Sequence, residues 1–161
     1  MAKLVIEVET NEQRIAEANA SNSIKMANSP FMHGVRFFIT GAKFANITVD
    51  GKKSDKLYPV FTTSIKDTLL HLSTLMKSRM AADGRVLTPS GTLNNFVREC
   101  IKACDTNGQI LATAVKGAQG RELIVRKTPY IGFTSDGRQY AAFLTEIDFM
   151  DGQPTEVPTL D

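Results

Sequence analysis

The spacing of apolar and polar positions divides the chain into blocks, and each block predicts an element. Leu4 to Val8 reads as a short strand or extended arm. Thr10 followed by Gln13 has the form of a capping box and opens a weak helix through Ala20. Residues 19–28 mix Ser, Asn, Lys and Met without a period and read as a connector closing at Pro30. From Gly34 the period becomes two: Val35, Phe37 and Ile39 alternate with Arg36, Phe38 and Thr40, and Phe44 to Val49 continues in β-type residues. This predicts a long strand bent at Gly41. Asp50-Gly51 begins a polar turn through Asp55, and Leu57 to Thr63 returns as the second strand of a hairpin.

Next comes a helical period. Ile65, Leu69, Leu72, Met76 and Met80 fall at steps of four, three, four and four, with Ser64 as N-cap, Asp67 in the first turn and Asp83-Gly84 as the stop. A second helix is predicted from about Thr92 to Ala103, with Leu93, Phe96, Val97, Cys100, Ile101 and Cys104 as its apolar stripe. After an Asn107-Gly108 turn, three strands are predicted: Gln109 to Val115, Glu122 to Thr128 and Arg138 to Phe149. The last alternates cleanly, Ala141, Phe143, Thr145, Ile147 and Phe149 on one face, Tyr140, Ala142, Leu144, Glu146 and Asp148 on the other. Asp136-Gly137 is the hairpin signal that joins it to its predecessor.

Two strands, two helices and three strands behind an arm define an α+β domain. Five strands with inserted helices suit a small, partly open, OB-like β-barrel, and an antiparallel sheet with both helices on one face is the competing arrangement. The organisation is an N-terminal arm and weak helix over 1–33, one domain over 34–150 and an acidic, Pro-containing tail over 151–161, mobile or docked on a neighbour. A chain of 161 residues with 42% hydrophobic content is long enough to bury a core without staples.

Charge and composition narrow the partners. The net charge of +2 conceals segregation: residues 21–139 hold 17 Lys/Arg against 8 Asp/Glu, a net +9, whereas residues 140–161 hold five acids and no base. No apolar run reaches the length of a membrane span. Glu7 and Glu9 stand where a signal peptide would carry basic and apolar residues, so none is expected, and the setting expected is cytoplasmic. Cys100 and Cys104, four apart on a helix, read as small buried hydrophobes in a reducing compartment.

Catalytic signatures are missing. No phosphate loop, dinucleotide fingerprint or nucleophile elbow occurs. His33 and His71 are the two histidines, too few and too scattered for a metal site. Glu146 and Asp148 share a strand face and could hold Mg²⁺ in a nuclease, with Glu122, Asp136 and Lys127 as further parts, but no spacing fixes these together. A solvated strand face is the simpler reading. No enzyme activity, cofactor or metal is expected.

The densest candidate chemistry lies between Arg121 and Tyr140. Four cations (Arg121, Arg126, Lys127, Arg138) and three aromatics (Tyr130, Phe133, Tyr140) fall within it, on a predicted hairpin. Single-strand binders need both kinds of part: cations for phosphates and aromatic faces on which bases stack. Lys52, Lys53 and Lys56 in the first hairpin loop could border the same groove, and Lys77, Arg79 and Arg85 form a further basic set. A basic β-rich body with an acidic, Pro-containing C-terminus, from Gly34 to Asp161, resembles phage and bacterial single-stranded DNA-binding proteins of OB fold. The tail departs from the bacterial pattern: it ends Val157-Pro158-Thr159-Leu160-Asp161, without a run of aspartates and a terminal Phe. The resemblance implies a non-catalytic, sequence-independent binder of single-stranded DNA in replication or recombination, acting in the host cytoplasm if of phage origin. The sequence also admits a virion or other assembly subunit, a homo-oligomer whose arm and tail contact neighbours.

Overall fold

Two long antiparallel hairpins carry the fold. The computed structural model of the chain describes residues 30–49 and 51–158. The arm, weak helix and connector expected before Pro30, and the last three residues of the tail, lie outside the described residues. The elements run β1 (Arg36–Phe37), β2 (Ile39–Val49), β3 (Lys52–Thr63), β4 (Leu69–His71), a 3₁₀ turn (Leu72–Leu75), β5 (Arg79–Met80), β6 (Val86–Leu87), α1 (Thr92–Ala103), α2 (Asn107–Ala118), β7 (Leu123–Phe133) and β8 (Gln139–Phe149). They form three antiparallel sheets, β1-β7-β8, β2-β3-β4 and the two-stranded β5-β6. The chain is thus α+β, and none of these sheets closes into a barrel among the described residues.

The predicted hairpins form. β2 pairs with β3 with register shifts beside Gly41, where the strand was expected to bend, and between Asn46 and Thr48. The turn is tighter than expected: β3 already starts at Lys52, so Lys52 and Lys53 belong to a strand and not to a loop. β7 pairs with β8 without a break from Leu123↔Phe149 to Phe133↔Gln139, longer than the strand predicted to stop at Thr128.

Two predicted elements are overturned. Residues 65–80 do not form a helix. Leu69–His71 instead pair with Val60–Thr62, Asp67 takes a positive φ of 55°, and only one 3₁₀ turn follows. Ser64 does not cap a helix; its hydroxyl accepts the Phe38 N–H at 2.8 Å. The buried residues here are Leu70, Leu72 and Leu75, while Met80, on the supposed apolar stripe, is 47% exposed. The steps of three and four arose from a strand, a tight turn and another strand in succession. Conversely, residues 109–115 are not a strand but part of α2. The Thr106 hydroxyl accepts the Gln109 N–H at 3.2 Å, and Ile110, Leu111, Ala114 and Ala118 bury one helical face.

α1 follows its prediction from Thr92 to Ala103. Its buried Leu93, Phe96, Val97 and Cys100 meet α2, Phe37, Phe61, Leu123, Val125, Ile147 and Phe149 in one core. The helices approach closely because position 117 is Gly: a Cβ there would lie 2.2 Å from the Phe96 ring. Cys100 and Cys104 are both free thiols, and burial, first among the causes, pushes the Cys100 thiol up to about 12.

The first turn of α1 lies along the outer edge of β8. The Ile147 N–H donates to Asn94 Oδ1 (2.8 Å) and the Phe149 N–H to Thr92 Oγ1 (2.7 Å), while Asp148 Oδ1 accepts the Thr92 N–H (2.8 Å). Asn94 Nδ2 also donates to the Leu75 carbonyl. On the outer edge of β7, Val125 exchanges bonds with Val35 and Gly34, the Lys127 N–H donates to His33 Nδ1 (3.0 Å), Pro129 has no N–H, and the Ile131 carbonyl accepts from Ala82. β8 buries opposite faces at its two ends: Tyr140 and Leu144 near the hairpin turn, Ile147 and Phe149 over the helical core.

The tail was expected to be mobile or docked on a neighbour. Through Pro158 it lies on its own domain: Arg121 pairs with Asp151 (2.5 Å) and bonds the Gln153 carbonyl, and Val157 packs half-buried against the core. No helix among the described residues is long and apolar enough to cross a membrane.

Candidate nucleic-acid interface

Strand alternation sorts the predicted residues of the β7–β8 hairpin onto two faces. Arg126, Thr128 and Tyr130 share one face with Leu144, Ala142 and Tyr140 across the ladder. Lys127, Pro129, Ile131 and Phe133 point the other way with Phe143 and Thr145. The single platform of rings and cations expected from the sequence is therefore divided.

Each candidate has a distinct setting. Tyr130 is half-buried and lines an open cleft of about 610 Å³ between the β5–β6 hairpin and this face, with Arg85, Val86, Leu87, Thr128 and Glu146. Tyr140 is 5% exposed, and its ring covers Gly132 so closely that a Cβ there would meet it at 2.5 Å. It is a packing residue, and its face is not open to a base. Phe133 is half-buried on the opposite face.

The cations divide again by their partners. Arg126 is exposed and forms an ion pair with Asp148 at 3.1 Å. Arg138 pairs with Asp136 at 2.9 Å, and the Thr134 hydroxyl, ahead of Arg138, holds the Asp136 carboxyl down at about 2. Arg85 pairs with Asp83 at 2.6 Å. Lys127 is half-buried and donates from Nζ to Thr145 Oγ1 at 2.7 Å. Lys52, Lys53 and Lys56 are exposed on β3, in a different sheet from Arg126 and Tyr130. Arg121, counted by the sequence among the candidate cations, anchors the tail, with its guanidinium 3.6 Å above the Phe149 ring.

The carboxylates considered for metal binding have structural partners. Asp148 receives the first N–H of α1 and pairs with Arg126, and Glu146 accepts from the Ser90 hydroxyl at 3.2 Å. Among the described residues, no three His, Cys, Asp or Glu side chains gather closely enough to hold a metal ion.

Sequence reasoning missed a smaller cavity, of about 250 Å³, lined by residues that include Arg79 of β5, Pro89 and Thr145 of β8. It is reached by residues from positions 71 to 79 and 143 to 145, and nothing in their spacing signals that they meet. No family model, curated protein or solved structure matches the chain.

Proposed function

We propose that this protein is a non-catalytic, sequence-independent binder of single-stranded DNA that acts in replication or recombination. The observation that carries this reading is the placement of Tyr130 inside an open cleft, four residues along the same strand face from Arg126. A base entering the cleft can stack on the ring while Arg126 and Arg85 reach for phosphates, the two parts that single-strand binding requires. The exposed lysines of β3, in the separate β2-β3-β4 sheet, offer further cations to a strand long enough to reach them. The finer fold assignment, a partly open OB-like arrangement of the three sheets, belongs to the same reading.

The test is a titration of a fluorescent oligothymidylate followed by anisotropy at two salt concentrations. Binding is expected to weaken steeply with salt. Tyr130→Ala is expected to lose roughly 5- to 150-fold in affinity, the equivalent of about 1–3 kcal/mol for one stacked base, with an unchanged melting temperature. Salt-insensitive binding, or none, overturns the proposal.

A second reading, a self-assembling subunit, is favoured by a different observation. Phe44 (41%) and Leu57 (50%) are exposed on neighbouring positions of one face of the β2–β3 hairpin. Light scattering after size exclusion distinguishes it: a stable oligomer indifferent to oligonucleotide supports assembly alone.

A further inference from the structure

β2 is an edge strand: it pairs with β3 alone, and among the described residues no strand lies along its other side. From Ala42 to Asn46 its ladder with β3 runs without a shift, so every second residue of this stretch turns its N–H and C=O outward. An edge of this kind accepts a further strand. Its two faces differ in chemistry. Ala42 and Phe44 are exposed on one, and Lys43 is exposed on the other. We propose that Leu4–Glu9 of the same chain adds to β2 as a fourth strand of this sheet, with Leu4, Ile6 and Val8 on the Phe44 face and Glu7 and Glu9 on the Lys43 face.

Three observations single out this occupant. The first is pattern. Leu4-Val5-Ile6-Glu7-Val8-Glu9 alternates, with three aliphatic side chains on one side and Val5 and two acids on the other. Beside β2 this alternation matches apolar to apolar and acid to base at once. A slip of one residue would set both acids on the Phe44 face, so the pattern fixes which side of the segment faces which way. The second is charge. A second copy pairing edge to edge through β2 would bring two Lys43 side chains onto one short ladder, and like charges across strands are destabilising, whereas Glu7 and Glu9 compensate Lys43. The third is reach. Phe31 packs against Phe37, just before β2 begins, so the chain enters at the foot of the hairpin. Residues 10–29 join the segment to Pro30, and at up to about 3.4 Å per residue they can span more than the length of β2. A segment joined in this way meets its site at an effective concentration on the order of millimolar, which favours the chain's own segment over a neighbour's.

Docked on Ala42–Asn46, the segment covers Phe44 and compensates Lys43. Lys52 and Lys53 lie opposite Val49 and Thr48, past the register shift that follows Asn46, and so beyond the added strand. They stay available to a polyanion. The inference therefore stands apart from the single-strand reading, and either can fail alone.

Hydrogen exchange of the full chain, read by mass spectrometry, tests it. The amides of Leu4–Glu9 should exchange roughly 10-fold more slowly than in an unstructured peptide of the same sequence. Ile6→Asp, which sets a charge on the Phe44 face, should abolish this slowing and speed exchange in Ala42–Asn46, with β7–β8 unchanged. Glu7→Lys/Glu9→Lys should weaken the slowing by about 2- to 5-fold, and adding Lys43→Glu should restore it, since an exchange of charge rescues only residues that lie side by side. Should the Lys43→Glu variant fail to fold, Phe44→Ser takes its place and should release Leu4–Glu9. Light scattering over a series of protein concentrations separates the chain's own segment from a neighbour's. Slowing that persists in the monomer supports the proposal; slowing that appears only with a dimer assigns the segment to another copy and overturns it. Exchange in Leu4–Glu9 at the peptide rate, or a charge exchange that restores nothing, overturns it as well.

Discussion

The β2–β3 and β7–β8 hairpins both pair strands of 11 or 12 residues, and both carry cations. In β7–β8 the arginines meet carboxylates supplied by the hairpin itself, Arg126 with Asp148 and Arg138 with Asp136. In β2–β3, Lys43, Lys52 and Lys53 are exposed and form no ion pair among the described residues. The segment richest in cations by sequence is thus partly neutralised, and the plainer lysine hairpin keeps its field. A cation's use to a polyanion depends on what stands beside it on the strand, which a count of charges along the chain does not register.

The largest expected effect tests how differently the two hairpins are anchored. Phe149→Ala removes a ring that is almost fully buried against Phe96, and should cost about 3–5 kcal/mol in urea unfolding. The double change Lys52→Gln/Lys53→Gln should leave stability within about 0.5 kcal/mol. Next, Asp148→Asn takes the charged acceptor from the start of α1 and the partner from Arg126. Stability should fall by about 1–2 kcal/mol, and oligonucleotide affinity should rise as Arg126 is released. A fall in stability with unchanged affinity would show that Arg126 does not meet the strand.

A smaller effect sharpens the other side of the comparison. The Lys52→Gln/Lys53→Gln variant should reduce the salt slope of oligonucleotide binding by about 1.4, two phosphate contacts. An unaltered slope would confine binding to β7–β8. Smallest is the titration of Asp136. Its carboxyl is held at about 2 against an unperturbed 3.8, so its contribution to stability is present above 3.8 and is lost as pH falls towards 2. Carboxyl chemical shifts followed by NMR should place its midpoint near 2, and Thr134→Ala should move it upward.

Sequence patterning found the elements whose period runs unbroken. α1 and β8 carry clean periods, and both appear where the pattern placed them. Residues 65–80 failed because the chain turns back after Thr63 so that Leu69–His71 pair with Val60–Thr62, and the apolar steps across that short strand, the 3₁₀ turn and the next strand coincide with those of a helix face. α2 had a local signal that went unread: Thr106 followed by Gln109 is a capping-box spacing, and Gly120, at φ +73°, closes the helix. The site was legible as composition but not as geometry. Tyr130 and Tyr140 look equivalent in sequence, yet one lines a cleft and the other is spent on covering Gly132. The small cavity depends on His71 and Thr145, more than seventy residues apart, and so left no trace in the linear pattern.

The covered borders of the β1-β7-β8 sheet bear on how copies of this chain can meet. With a proline and a histidine ring on one side and the start of a helix against Ile147 and Phe149 on the other, those stretches of backbone are closed to a strand from another molecule. Backbone pairing between copies on this sheet is thereby confined to the hairpin-turn half of β8, and elsewhere along its borders copies can meet only through side chains.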